Sequence, residues 1–244
     1  MQWLGAATVA PARLIVAVSR PRALISWSSG KDAAWALHTL RLANSVEPAA
    51  LLTTVTAAYG RVSMHGVREE LLVRQAEEVG LPLRVVAIPS PCPNDLYEEA
   101  FLAELARART AGITHVVFGD LFLEDVRAYR EKLLERAGLT GVFPLWRRET
   151  RALATEMLAG GLRAVLVCVD PDKVPASFAG RDFDPKLLGE LPAGVDSCGE
   201  RGEFHTFARA GPMFRREIEI ARGEVVQRDG FVFADLLEGS SALD

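Results

Sequence analysis

The chain has 244 residues, 49% of them hydrophobic and 25% charged, with a formal net charge of −4. That length suffices for one large core, or a core with a smaller appendage, in an ordinary globular protein. The acidic balance argues against a large nucleic-acid footprint, which needs a basic face.

Residues 1–22 carry two apolar runs interrupted by Pro11 and Arg13. Neither approaches the ~20 residues that cross a bilayer. No charged segment precedes the first run, so the stretch reads as a variable extension or a misplaced start rather than a targeting signal. A strand is expected at 23–27, followed by Ser28, Ser29, Gly30, Lys31 and Asp32 and then a helix at 33–40. Strand, small-residue loop and helix make an anion site: the first amides of a helix lack intrahelical partners and sit at the positive end of its dipole. The two serines add hydroxyls, Gly30 permits close approach and Lys31 adds a mobile charge. The alternative is an ordinary turn whose serines cap the helix. A Walker loop is excluded, because Ile25 stands where its first glycine belongs and Asp32 follows the lysine.

Further strands are expected at 49–56, 83–88, 113–118 and 163–169, alternating with helices at 67–79, 94–111, 123–137 and 149–158. Gly80 and Pro82 stop the first of these helices, and Asn94 caps the second. The alternation implies an α/β fold, a parallel sheet with helices on both faces. Ligands then bind beyond the carboxyl ends of the strands, where the phosphate loop, Thr54, Gly119 and Asp120 all fall. From residue 170 the texture changes to Pro, Asp and Gly, then G-E-R-G-E-F-H-T at 199–206. Strand-like runs follow at 217–221, 224–227 and 231–234, the last after the turn signal Asp229 and Gly230. The expected division is an extension at 1–22, a nucleotide-binding domain at 23–170, and a small C-terminal substrate region with hairpin character at 171–244. Cys92, Cys168 and Cys198 show no metal-ligand or disulfide spacing, so reduced thiols in a cytoplasmic protein are expected.

The loop at 28–32 resembles the S-G-G-K-D-S pyrophosphate loop of the N-type ATP pyrophosphatases, which cleave ATP between its α and β phosphates. Ser29 replaces a glycine there, a small-for-small change expected to be harmless, and Ala33 replaces the final serine, removing one phosphate-binding hydroxyl. Phe118, Gly119 and Asp120, then Arg127, Arg130 and Glu131, then Pro144, Leu145 and Trp146, resemble the diphthine–ammonia ligase family in order, as does the 199–206 stretch. The resemblance runs from about residue 22 to 235 and implies a HUP-like, Rossmann-type nucleotide domain. It implies a ligase using ATP and Mg2+ that adenylates a carboxylate, with ammonia or an amine then displacing AMP.

On that reading Ser28, Ser29, Gly30, Lys31, Asp32, Thr54, Gly119 and Asp120 hold the nucleotide. Lys31 also stabilises the departing pyrophosphate, and Asp32 either caps the helix, the favoured role, or holds metal through water. Arg127 or Arg130, with Glu131 one turn on, would meet an anionic substrate. Glu203 and His205, two apart and on one face if extended, suit proton transfer, and with Glu200, Gly202 and Thr206 they are expected to bind the substrate. His65 and Arg68 are weaker substrate-side candidates. Two other readings stay open: a related enzyme that adenylates another substrate, RNA included, and a nucleotide sensor without turnover. A homodimer is left open, and no membrane partner is expected.

Overall fold

A computed structural model describes residues 20–239, so the 1–22 extension lies almost entirely outside the described residues. The first sheet runs β1 (Arg22–Ser26), β2 (Glu47–Thr56), β3 (Arg61–Val62), β4 (Leu83–Ile88), β5 (His115–Val117) and β6 (Thr140–Val142). Its parallel spatial order is β4-β2-β1-β5-β6, with the short β3 antiparallel on β2. The helices between them are α1 (Lys31–Ala43), α2 (Glu69–Val79), α3 (Asn94–Thr110) and α4 (Glu124–Ala137), and α5 (Thr150–Ala159) follows β6. The central strand β1 shows why both faces are covered. Ala23 and Ile25 join the core built with α1, α2 and α5, whereas Leu24 joins the opposite core with α3 and α4. The chain leaves β1 toward β2 on one side and returns to β5 on the other, so the switch point lies between β1 and β5.

The second sheet departs from the sequence expectation. β7 (Arg163–Val169), grouped above with the parallel strands, pairs antiparallel with β8 (Phe204–Ala210) and β10 (Phe231–Glu238), and β9 (Ile220–Arg228) forms the outer edge. A run with both faces buried looks alike in either kind of sheet, so its apolarity could not tell which it joins. β9 runs unbroken through Arg222 and Gly223, with a register shift opposite, between Ala234 and Leu236. A short helix, α6 (Pro185–Glu190), bridges the Pro-rich stretch. Asn94 opens α3 rather than capping it, because Pro93 takes the cap position. Among the described residues no helix is long and apolar enough to cross a membrane.

Candidate active site

Strand β8 is laid directly over the start of α1, and this juxtaposition builds the site. Gly30 is the N-cap of α1 in extended geometry with no side-chain cap bond of its own. The orphan amide of Lys31 instead donates to Thr206 Oγ1 at 3.1 Å, a cap supplied from 175 residues away. Ala208 N donates to Ser29 O at 2.9 Å, tying the same strand to the loop. Gln75, fully buried on α2, locks the arrangement: its Nε2 donates to Ser29 O at 2.9 Å and to Ala208 O at 2.6 Å, while its Oε1 accepts from Trp27 Nε1 at 2.8 Å.

The other wall comes from β5. An added Cβ at Gly119 would stand 2.7 Å from Asp32 C and 2.8 Å from Ala33 N, so only glycine lets this strand end touch the first turn of α1. Between the walls lies a cavity of about 240 Å³, and Ser28, Lys31, Asp32, Gly119 and Asp120 all line it. His65, Arg130, Glu200, His205 and Thr206 line it as well.

Lys31 is not the mobile cation expected of it. Its side chain is 2% exposed, pairs with Asp32 Oδ2 at 2.8 Å and donates to the Cys198 carbonyl. It also lies 5.5 Å and 5.3 Å from the ring centroids of Phe183 and Phe204. Burial alone would lower its pKa, but the Asp32 carboxylate and the acidic surroundings hold it above the ordinary lysine value. Burial pushes Asp32 up against the pull of Lys31. Asp32 does not cap; it sits in the first turn with Oδ1 buried and unpartnered.

The two histidine rings lie 4.5 Å apart between centroids, tilted by 32°, and His65 Nδ1 lies 3.4 Å from Thr206 O. Burial, with His205 beside it, holds His65 well below the usual imidazole range. Burial and then Lys31 push His205 down to about 4, so both rings are neutral near pH 7. Glu200 goes the other way: burial, then the carboxylates of Asp32 and Asp120, raise it to about 7 against the amide bonds that favour its charged form. Its Oε1 accepts from Leu121 N at 2.7 Å. Asp120 is engaged by Arg130 at 2.7 Å, and the guanidinium carbon of Arg130 lies 4.5 Å from the Phe118 ring centroid.

Other expected site residues fall elsewhere. Glu203 is 2% exposed, and its carboxylate accepts from Asp196 N at 3.1 Å and Arg201 N at 2.9 Å, outside the cavity wall. Arg127 pairs with Glu131 at 2.8 Å and covers Phe143 and Trp146, also outside it. Thr54 uses its carbonyl to accept from Ser63 N at 3.0 Å, Gly202 occupies an open turn, and Arg68 pairs with Asp235 at 2.7 Å. Sequence reasoning missed Gln75, Cys198 and Asp196, whose Oδ1 accepts from Cys198 N at 2.9 Å and so shapes the turn presenting Glu200. The Pro-, Asp- and Gly-rich texture of that stretch was the one available signal. Among the described residues no group of three or more His, Cys, Asp or Glu side chains could hold a metal ion.

Ser29 carries a cost that its small size conceals. It adopts φ 68, the left-handed region that favours glycine, with its hydroxyl fully buried and unpartnered. Ser29→Gly should relieve about 1–2 kcal/mol of backbone strain and more for the hydroxyl, set against the ~0.5–1 kcal/mol that glycine adds to the entropy of unfolding. A net gain of about 1 kcal/mol raises the melting temperature by roughly 2–4 °C. A lower melting temperature in a thermal scan contradicts the strain assigned here.

The chain matches the family model described as diphthamide synthase N-terminal domain over residues 21–141, and the one described as diphthamide synthase C-terminal domain over residues 149–235. It is 30% identical over 163 residues to the diphthine–ammonia ligase of Rattus norvegicus, covering 64% of this chain and 60% of that protein. With the diphthine–ammonia ligase of Danio rerio it shares 31% over 175 residues, covering 65% of this chain and 68% of the relative. The Homo sapiens protein of that name is 31% identical over 151 residues, 58% of this chain and 53% of the relative. The chain thus spans about 60% of the length of the rat and mouse relatives.

Proposed function

The chain belongs to the diphthamide synthase family, and we propose that it is an ATP-dependent ligase that joins ammonia to a carboxylate, with diphthine as the acceptor. The observation that carries this reading is the Thr206 cap on α1, which brings the 199–206 stretch onto the phosphate loop. We assign the nucleotide to the first sheet and the acceptor side to the second.

An acceptor carboxylate oxygen attacks the α phosphorus, the bond to the β-phosphate oxygen breaks, and pyrophosphate leaves. The nitrogen of ammonia then attacks the acyl carbon, and the bond to AMP breaks. The amides at the start of α1 and the Lys31 ammonium receive the β and γ phosphates. Lys31 exchanges its bonds to Asp32 and Cys198 for the phosphates as they arrive. The unpartnered Oδ1 of Asp32 is the oxygen that would hold a magnesium ion brought in with the nucleotide. Such an ion neutralises phosphate charge. Glu200 takes the proton that the attacking nitrogen loses, since its carboxyl changes charge at about pH 7 and lines the cavity. Glu203 serves by pinning the 196–201 turn rather than by moving protons.

The test follows AMP release from ATP, ammonia and a diphthine-bearing peptide across pH. A proton acceptor works only as the carboxylate, so the rate should rise with pH through a limb near 7. Glu200→Gln should lose that limb and about 10²–10⁴-fold in rate, with ATP affinity kept. No AMP at any pH overturns the proposed function, and an unchanged limb in Glu200→Gln removes Glu200 from it. The sensor reading draws no support from a cavity holding a poised carboxyl and a buried lysine.

A further inference from the structure

Two side chains that line the cavity, His65 and His205, have no part in the mechanism above. Both rings are neutral near pH 7, and a neutral imidazole offers one N–H and one lone pair. In His65 the geometry fixes which nitrogen has which. Nδ1 lies 3.4 Å from the Thr206 carbonyl, which only accepts, so Nδ1 carries the proton and Nε2 keeps the lone pair. The adjoining Cε1 stands 3.2 Å from the place a Cβ on Gly30 would take, so this edge of the ring overhangs the phosphate loop.

A lone pair at that place repels phosphate and carboxylate oxygens, which have no proton to share. It fits a ligand that donates. The His205 ring, 4.5 Å from His65 between centroids, makes no hydrogen bond among the described residues and adds a second acceptor to the same cavity. The Glu200 carboxylate is a third. Of the three substrates in the ligase reading, the ATP phosphates and the acceptor carboxylate bring oxygens to the loop, whereas ammonia brings three N–H groups.

We propose that His65 and His205, together with Glu200, form the binding site for the nitrogen donor. Each imidazole lone pair accepts one N–H of ammonia and Glu200 accepts the third, which leaves the lone pair of the nitrogen free for the acyl carbon. As the C–N bond forms and the bond to AMP breaks, the proton passes to Glu200. The inference rests on the ligase reading above and places that reaction's nitrogen donor.

The test offers ammonia and methylamine together to the whole chain with ATP and a diphthine-bearing peptide, and reads the ratio of amide to N-methylamide by mass spectrometry. Methylamine replaces one N–H with a methyl group and leaves one acceptor unpaired, so the unaltered chain should form mainly the amide. His205→Phe and His65→Phe keep a ring and remove the acceptor, and each should lower the ratio about three- to tenfold. His205→Gln, whose amide oxygen still accepts, should restore most of it. The ratio does not depend on how much of a variant is folded. ATP affinity, titrated in parallel, should stay unchanged in all three. An unchanged ratio in either Phe variant overturns the inference and leaves the ligase reading standing. So does a Phe variant that binds ATP yet forms neither product, because one lost acceptor weakens the site without abolishing the reaction. A fall in ATP affinity also overturns it, and gives the rings to the hydroxyl or amino groups of the nucleotide. If the unaltered chain forms neither amide, the ligase reading falls and the inference with it.

Discussion

Lys31→Ala is expected to bind ATP about ten- to a hundredfold more weakly than the unaltered chain and to release no measurable AMP. A charge-assisted hydrogen bond is worth about 1.5–3 kcal/mol, which sets the affinity loss. Turnover falls further, because the charge that accumulates on departing pyrophosphate loses its nearest cation. The buried setting sharpens the expectation, since an ammonium 2% exposed between two rings acts in surroundings that screen it little. Removing it also strips Asp32, whose side chain is 27% exposed, of its partner, a loss smaller than the ~3–5 kcal/mol of a fully buried pair. A companion variant carrying Lys31→Met and Asp32→Asn keeps the volume and removes both charges. If that variant melts cooperatively and binds ATP as tightly as the unaltered chain, Lys31 is not the phosphate ligand.

Gly119→Ala should damage both the fold and the site. The new methyl meets backbone, not a side chain that could swing away: 2.7 Å to Asp32 C and 2.9 Å to Asp32 O. Overpacking of this kind costs about 1–3 kcal/mol, a fall of roughly 3–10 °C in melting temperature. Relief requires β5 or α1 to move, which misplaces the amides proposed to meet the phosphates, so ATP affinity should drop with stability. Gly189→Ala is the control, because an added Cβ there has open space and α6 gains a better helix former. Equal melting temperatures and ATP affinities for Gly119→Ala and the unaltered chain contradict the contact between the two elements.

The parts of the site that could be read from sequence are those whose residues are neighbours along the chain. The strand, loop and helix around residues 23–43 declare themselves by local texture, and so does the break at Gly119. What local texture cannot carry is which distant element supplies a partner. Thr206, which its motif assigns to the substrate, caps α1, a role set by a crossing 175 residues long. Gln75 looked like one more polar residue of an amphipathic helix, although three buried hydrogen bonds converge on it. Glu203 and His205 have the spacing of one strand face, but β8 begins at Phe204 and leaves Glu203 in the preceding turn. Arg127 and Glu131, expected to meet an anionic substrate, instead pair with each other at i,i+4 outside the cavity, and Arg130, one position away from Glu131, enters its wall. Ser29 shows the converse limit: its size was legible, and its left-handed backbone was not.

The central claim, that an acceptor carboxylate attacks the α phosphorus of ATP held at this loop, is tested most directly by isotope transfer. A diphthine-bearing peptide labelled with heavy oxygen in its carboxylate is incubated with the chain, ATP and ammonia, and the nucleotide products are analysed by mass spectrometry. The mechanism predicts AMP carrying one labelled oxygen, with unlabelled pyrophosphate beside it. Unlabelled AMP, or ADP and phosphate as the main products, contradicts it.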